Sequence, residues 1–463
     1  MKLLIFGTGL YYQNRKENFI NEDIVAFVDN NSSKWGTSFE DREIISPERI
    51  CEMDYDFVCL MAKGEFVEQM RRQLEQLRVP YEKIIDFFEY KATKEERQLL
   101  IYYGNSCSTE GKKKILLLTH ELSYSGAPLV LFDVARVLKK NGYFVGVLSL
   151  RDGELRKDFI REGIMVGIQE DIRRFDTFFF NWFQQFDLVW GNTVTYYYWI
   201  EAFSRTSLPF VWWLHESKEA YEWLGTNRMP RYIADNIHVY AVGSLAMRDA
   251  NKYIHNAKIN TLLYGAPDFS SEILEELKSN EKIVFAIIGS INPRKAQDIF
   301  VEAIESLTEA ERQQSEFWII GNVLQEEFFE KLKERIVAIP EIKILGSFNR
   351  EEMKAIYSKL DVVVCPSRED PLPVVATEAM IMSKPCVVST ETGTAALIED
   401  EVNGLICEVE NVQSLADKMR WCIQNQNKLT VIGRQARKLY EEQFSMEVFE
   451  KNVCKIVDDA IKM

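Results

Sequence analysis

The sequence predicts an α/β chain of three successive units, each a mainly parallel sheet flanked by helices. Three stretches carry that prediction: "KLLIFGTGLYYQN" from Lys2, "KKILLLTHELSYSGAPLVLFDVARVLKKNG" from Lys113 and "KIVFAIIGSINPRKAQDIFVEAI" from Lys282. Each runs from a continuous apolar strand through a Gly-containing turn into an amphipathic helix, the opening of a βα unit. Sheets of this Rossmann-like layout bind ligands at the carboxyl ends of their strands, where these turns lie. The 463 residues leave room for about three domains.

Boundaries follow from composition. "YYGNSCSTEGKKK", Tyr102 to Lys114, is polar, contains glycine and ends basic, and "YGAPDFSSEILEELKSNEK", Tyr264 to Lys282, makes the second break. The expected organisation is a small Rossmann-like domain over 1–98, a linker over 99–112, a second domain over 113–275, a third over 276–430, and a helical tail over 431–463 that packs back on the second domain. Hydrophobic residues at 46% and charged residues at 27% are ordinary for a globular chain. The net charge of −15 argues against nucleic acid as a partner, because phosphate binding wants a basic surface. The eight cysteines form no C-x-x-C, and none stands near a histidine at ligand spacing, so free thiols in a reducing compartment are expected rather than a metal site. The opening "MKLLIFGTGL" meets glycine too soon for a secretory signal, and no apolar run approaches the ~18 residues that span a bilayer, so the chain reads as soluble and cytoplasmic.

In the first domain "FGTG" follows an apolar strand, and Asp29 closes the next apolar run, "IVAFVD". The separation of Gly9 and Asp29, about 20 residues, suits a phosphate-side glycine and an acid on a ribose hydroxyl. Gly7, Gly9 and Asp29 are therefore the candidate ligand residues there. Tyr12 occupies the place of the third glycine of G-x-G-x-x-G, which leaves docking, regulation and small-ligand sensing open beside dinucleotide chemistry. Tyr12 and Lys16 have Tyr-x-x-x-Lys spacing but lie in the first loop, and Asp54 and Asp56 of "DYD" lead into a strand.

The third domain carries the sharper chemistry. In "SREDPLPVVATEAM", Ser367 to Met380, the prolines at 371 and 373 forbid helix through that segment, yet proline suits a helix's first position. A helix should start near Pro373, with Asp370 in the loop before it and Glu378 in its second turn. The helix start offers unpaired N–H groups from Leu372 to Val374 and a partial positive charge. Two carboxylates there can accept from sugar hydroxyls, or they are a capping Asp and a solvated Glu. The loop "GSINPRKAQD", Gly289 to Asp298, adds the cations Arg294 and Lys295 at a strand end, where a diphosphate could lie. Hydroxyl acceptors and diphosphate donors in one domain match a nucleotide-diphospho-sugar.

"PSREDPLPVVATEAMIMSKPCVVSTETG" resembles the E-x7-E region of glycosyltransferase family 4, a retaining group of GT-B fold, and "EDPLPVV" resembles the subset with Asp at the first position. "GSINPRKAQDIFVEAI" resembles the phosphate loop of that family, and "KILGSFNREEMKAIYSKLDVVVCPS" and "VNGLICEVENVQSLADKM" resemble the segments on either side of the E-x7-E region. "HELSYSGAPLVLFDVARVL" and "FVWWLHES" resemble the first loop and the histidine-bearing strand of the partner domain. The likeness covers roughly residues 113 to 463. The first domain resembles a small Rossmann-like module found ahead of some bacterial polysaccharide enzymes.

That resemblance implies a GT-B pair of Rossmann-like domains. It also implies retaining transfer of a sugar from a nucleotide-diphospho-sugar to a carbohydrate acceptor, with no metal or other cofactor required. Glu378 would accept from the ribose hydroxyls and Asp370 from the donor sugar. The backbone at Leu372, Pro373 and Val374 would hold sugar and phosphate. Lys295 would neutralise the departing diphosphate, Gly126 would let the first loop approach it, and His215 would face the donor sugar across the cleft, with Asn192 a further cleft residue. Three positions depart from the family pattern. Ser290 stands where arginine is usual, a charge Arg294 could supply; Ala296 replaces a glycine; and Ala395 and Ala396 replace Pro-Glu. The setting implied is bacterial cell-surface polysaccharide or glycoconjugate assembly, with an oligosaccharide, glycolipid or glycoprotein acceptor. Peripheral membrane contact and homo-oligomerisation stay open. So do two other functions: a decayed nucleotide-sugar-binding subunit, and a dinucleotide-dependent enzyme centred on the first domain.

Residues 175 to 223 hold 18 of the chain's 56 aromatics, more than one core face would take. Consecutive aromatics point to opposite sides of an element, so some of Tyr196, Tyr197, Trp199 and Trp223 are expected to line a cleft, stack on sugars or meet a membrane, with Arg173 and Arg174 beside them.

Overall fold

The computed structural model describes residues 1–63, 65–80, 83–87, 90, 100–103, 112–169, 182–225, 228–230, 232–272 and 282–462. The first sheet holds β1 (Lys2–Phe6), β2 (Asp23–Val28), β3 (Ser38–Phe39), β4 (Arg42–Ile45), β5 (Phe57–Leu60) and β6 (Ile84–Asp86), in the order β3-β4-β2-β1-β5-β6. All its pairs are parallel except β3 with β4. The order reverses at β1, so the ends of β1 and β5 form a switch point.

The second sheet holds β7 (Leu100–Tyr102), β8 (Lys114–Thr119), β9 (Phe144–Ser149), β10 (Met165–Ile168), β11 (Leu188–Asn192), β12 (Phe210–Leu214), β13 (Ile237–Ala241) and β14 (Ile259–Thr261), in the order β14-β13-β12-β11-β8-β9-β10-β7. β7 lies inside the expected linker, yet it pairs antiparallel with β10, Ile101 opposite Gly167. That short strand covers an edge that would otherwise present unpaired backbone groups.

The third sheet holds β15 (Ile283–Ile288), β16 (Ser315–Ile320), β17 (Ile342–Gly346), β18 (Val362–Cys365), β19 (Cys386–Ser389) and β20 (Leu405–Cys407), in the order β17-β16-β15-β18-β19-β20 and wholly parallel. "IVFAII" of β15 and "VVVC" of β18 are buried throughout, as strands of a sheet covered on both faces must be. One apolar core runs from the second sheet into a face of the third, whereas the first sheet has two small cores of its own.

The same double covering resolves the aromatic stretch. Trp212 and Trp213 on β12 face opposite sides, and both are buried, their indole N–H groups donating to the carbonyls of Thr193 (2.9 Å) and Leu262 (3.1 Å). Tyr196 and Trp199 are also fully buried. The expectation that these two line a cleft is therefore corrected: they fill the core, because this sheet has two faces to fill. Tyr197 is half-buried, and Trp223 is 77% exposed. Arg173 and Arg174 lie outside the described residues.

The tail divides between domains. Helix Gln426–Gln443 packs on helix Val374–Ile381 of the third unit, and helix Met446–Lys462 returns to helix Gly126–Lys140 of the second. Lys140 meets Glu450 at 2.6 Å, and the Tyr143 hydroxyl donates to Asp458 at 3.0 Å.

Candidate active site

The third unit gathers its charged groups at the ends of β15 and β18. Asn292 accepts from the Lys295 N–H at 3.3 Å and closes a single helical turn, Pro293–Lys295. Ala296 then adopts φ 58°, the left-handed region where the resembled family has glycine; for alanine this conformation costs about 1 kcal/mol. The turn sends Lys295 back over Gly289, where a Cβ would come within 3.4 Å of its Cε. Its Nζ reaches Asp370 at 2.6 Å. Arg294 donates to the Glu369 carbonyl at 3.0 Å and stands 3.8 Å from Asp370. Arg368 grips Asp298 with two nitrogens, at 3.0 and 2.8 Å, and ties the loop after β15 to the strand end that carries Asp370.

Past Asp370 the chain turns at Pro371 and enters helix Val374–Ile381, with Pro373 at its N-cap. Pro373 has no N–H, so the donors at this helix start are Leu372, Val374 and their successors, a correction to the expected unbroken run. Gly393 packs against this turn so closely that a Cβ would lie 1.7 Å from the Pro371 carbonyl oxygen. Glu378 is half-buried in the second helical turn and accepts from the Tyr357 hydroxyl at 2.6 Å. Next to it, Tyr264 and Thr377 share a hydrogen bond of 2.7 Å. Glu378 is thus a held carboxylate rather than a solvated one.

In the second unit the neighbouring parallel strands β8, β11 and β12 bring their carboxyl ends to one edge of the sheet. His215 follows β12, its ring 4.4 Å from that of Trp213. Burial, with the charge of nearby His120 adding to it, pushes His215 down to about 3. Burial also pushes Glu216 up to about 7, against hydrogen bonds from the backbone of Val194 and His215, each 2.9 Å from Oε2. His120, after β8, is lowered by burial against the pull of Glu121. His120 Nδ1, His215 Nε2 and Asn192 Oδ1 are buried with no hydrogen-bond partner among the described residues. Asn192 donates its Nδ2 to the Ala127 carbonyl at 2.9 Å and so anchors the start of helix Gly126–Lys140. A Cβ on Gly126 would meet open space. Thr193 carries φ 81°, costing roughly 1–3 kcal/mol for such a backbone. Its N–H to Trp213 (2.7 Å) and the Trp212 indole on its carbonyl fix it. At neutral pH this face presents uncharged imidazoles.

The comparisons with known proteins fall on the same segments. Residues 269–439 match the family described as glycosyl transferases group 1, residues 111–232 match glycosyl-transferase family 4, and residues 1–85 match the C2185-like N-terminal domain. By these matches the chain resembles glycosyltransferase family 4 across its second and third units. An uncharacterized glycosyltransferase of Methanocaldococcus jannaschii is 26% identical over 213 residues, 45% of this chain and 58% of the relative. An Escherichia coli UDP-Gal:alpha-D-GlcNAc-diphosphoundecaprenol alpha-1,3-galactosyltransferase is 28% identical over 182 residues, 36% of this chain and 46% of that one. The chain thus spans about half the length of the curated relatives it matches. Among solved structures, Anabaena HepE in complex with UDP superposes with a TM-score of 0.64 at 19% identity, over 75% of this chain and all of that one. WaaG, a glycosyltransferase involved in lipopolysaccharide biosynthesis, gives 0.57 at 14%, over 74% and 99%. These likenesses fix the GT-B fold, with the first sheet an additional domain.

The fold sets Lys295 and Arg294 against Asp370, and Leu372, Val374 and Glu378 follow in the same segment. Ser290 turns its hydroxyl to Asn322 at 3.2 Å. His120, Glu216, Tyr357 and Tyr264 escaped the sequence reading. His120 alone had a signal, its place just past an apolar strand in "LLLTHE". In the first unit Asp29 is already engaged, by Lys34 at 2.7 Å and by Thr8 at 2.5 Å. Asp54 and Asp56 are held by the side chain and backbone N–H of Lys2. Among the described residues no group of three His, Cys, Asp or Glu is placed to hold a metal ion, and no helix is long and apolar enough to cross a membrane.

Proposed function

We propose that the protein moves a sugar from a nucleotide-diphospho-sugar to a hydroxyl of a carbohydrate acceptor. One observation carries the reading: Lys295 meets Asp370 at 2.6 Å just before helix Val374–Ile381, whose second turn carries Glu378. Asp370 accepts from the donor sugar and Glu378 from the ribose, while Lys295 leaves Asp370 for the diphosphate. In the transfer, the acceptor oxygen bonds to the anomeric carbon as the bond from that carbon to the diphosphate oxygen breaks. The leaving phosphate takes the acceptor's proton. Lys295 and Arg294 stabilise the charge that develops on the leaving group. Attack from the leaving-group face, with retention and without a metal, is the form this reading takes.

The uncharged imidazoles across the cleft suit sugar hydroxyls better than anions. The acceptor is an oligosaccharide, glycolipid or glycoprotein of bacterial surface polysaccharide or glycoconjugate assembly. Exposed Trp223, with Arg228 5.7 Å from its ring, supports peripheral membrane contact on the cytoplasmic side. HepE was solved with UDP, so uridine nucleotides come first in the test. UDP-, GDP-, dTDP- and ADP-sugars are scored by thermal shift and by hydrolysis. At least one is expected to stabilise the protein and be cleaved; a panel in which none does either rejects the reading. Ser290 and Ala396 favour a second reading, a nucleotide-sugar-binding subunit without turnover. Binding with no transfer across a broad acceptor panel would select it.

A further inference from the structure

The second and third units are bridged by a fork. Arg248 lies on helix Ser244–Ala250, just after β13, and its Nη1 and Nη2 donate to the two oxygens of Glu391 at 2.9 and 2.7 Å. Glu391 stands in the loop after β19. Its carbonyl accepts the Asp370 N–H at 3.0 Å, and the Asp370 carbonyl accepts the Gly393 N–H at 2.9 Å. The fork therefore holds the backbone that pairs with Asp370.

At its other end the fork is rooted near His215. Arg248 Nε donates to Asp249 at 3.2 Å, and the fully buried Asp249 also accepts from Lys252 (2.9 Å) and from the Lys218 N–H (3.2 Å). Lys218 opens the helix three residues past His215. One residue before the Arg248 helix, a Cβ on Gly243 would sit 3.4 Å from the Pro371 carbonyl oxygen, so the two units touch at the turn that follows Asp370.

We propose that Arg248 is a positioning residue: its two-point grip on Glu391 sets the Asp370 loop against the His215 edge of the second unit. This rests on the reading that Asp370 meets the donor sugar. Glu378 and Tyr357 pair with each other inside the third unit, and Lys295 meets the fork only indirectly, through Asp370, so nucleotide binding depends on the fork far less than sugar placement does. A two-point guanidinium–carboxylate contact fixes direction as well as distance. Arg248 and Glu391 are 46% and 31% exposed, so the contact weakens as salt rises.

The test compares Arg248→Ala, Arg248→Lys, Glu391→Gln and the exchanged pair R248E/E391R with the wild type, in the full chain. Affinity for UDP, or for the nucleoside diphosphate that the donor panel selects, should stay within about twofold, while kcat with the matching sugar donor falls about 10- to 100-fold in the single variants. Arg248→Lys keeps the charge and loses the fork, and should fall as well. The exchanged pair restores the ion pair but sets a carboxylate at position 248 beside Asp249, so it should regain only part of the loss. Wild-type kcat in Arg248→Ala, nucleotide affinity lost in step with kcat, or an exchanged pair no better than its singles would each overturn the proposal. If no donor turns over, the function reading fails by itself and the fork is still read in solution. Small-angle scattering of the ligand-free protein should then show a larger radius of gyration in Glu391→Gln and Arg248→Lys, partly restored in the exchanged pair. Unchanged radii in the single variants would overturn it. Melting temperatures within a few degrees of wild type in the two conservative variants exclude simple unfolding.

Discussion

Two strand ends of this molecule hold an aspartate against a lysine, and they are built differently. At the end of β2, Asp29 meets Lys34, five residues on; both bond the Thr8 hydroxyl, and Asp29 also accepts the Asn31 N–H. Nearby, Tyr12 is buried at the place of the missing third glycine, its hydroxyl on Glu40 at 2.8 Å, and the helix after the glycine turn is only Leu10–Gln13. In the third unit Asp370 meets Lys295 across 75 residues. That pair comes from two separate strand ends, beside an eight-residue helix that carries Glu378. A pair closed within one loop is satisfied by its own neighbours. A pair assembled from two strand ends sits over the gap between them, where a ligand can part it and satisfy each half separately. The same residue types therefore read as a structural tie in one place and as a donor site in the other.

The largest effect expected from this contrast is on turnover. Lys295→Ala should lower kcat about 100-fold or more, because it removes charge stabilisation of the leaving diphosphate. Lys34→Ala should leave kcat within about twofold, as for a surface pair remote from the chemistry. Equal losses in the two variants, measured as nucleotide release from the active donor, would break the distinction.

Nucleotide affinity sharpens it further. Glu378→Gln should weaken the nucleoside diphosphate about tenfold by calorimetry, the scale of one hydrogen bond to a charged group. The amide oxygen of the variant can still accept from Tyr357, so melting should move little. Unchanged affinity would remove Glu378 from the ribose. Asp370→Asn should act in the opposite direction on the sugar-free nucleotide. With the 2.6 Å contact neutralised, Lys295 is released to the diphosphate, and binding should tighten about threefold even as sugar turnover is lost. Weaker binding would mean that Asp370 serves chiefly to aim the lysine.

Much of this was legible because it is local. The apolar strands, the glycine turns and the proline-started helix are each written within about ten residues, and the structure has them where the pattern puts them. What the sequence hid depends on pairings at long range. Leu100–Tyr102 reads as linker because three residues are too few for a period, and only the open edge of β10 makes them a strand. Tyr357 reaches Glu378 from 21 residues away, Tyr264 reaches Thr377 from 113, and Arg248 reaches Glu391 from 143. No spacing rule connects these. Tyr196 and Trp199 looked like surplus aromatics because the count assumed one buried face where the sheet has two.

The smallest expected effect concerns stability in the first unit, and its pH dependence decides whether Asp29 is a tie. Burial alone would raise the Asp29 carboxyl, but hydrogen bonds from Lys34, Thr8 and the Asn31 N–H outweigh it and hold the group below its ordinary value of 3.8. A carboxylate lowered in the folded state stabilises the fold above its unfolded pKa and loses that contribution as pH falls through the folded one. Asp29→Asn should therefore cost the first unit about 1 kcal/mol at pH 7, a value reduced for partial exposure of the pair. The deficit should shrink as pH drops below 3.8, where the unfolded carboxyl binds its proton. Trp35, whose indole donates to the Asp29 carbonyl at 2.7 Å, supplies the local probe, read as a fluorotryptophan resonance during urea unfolding. Sugar turnover should not change in this variant. If turnover fell while the deficit stayed flat with pH, the first strand end would be a ligand site like the third, and the contrast between the two pairs would fail.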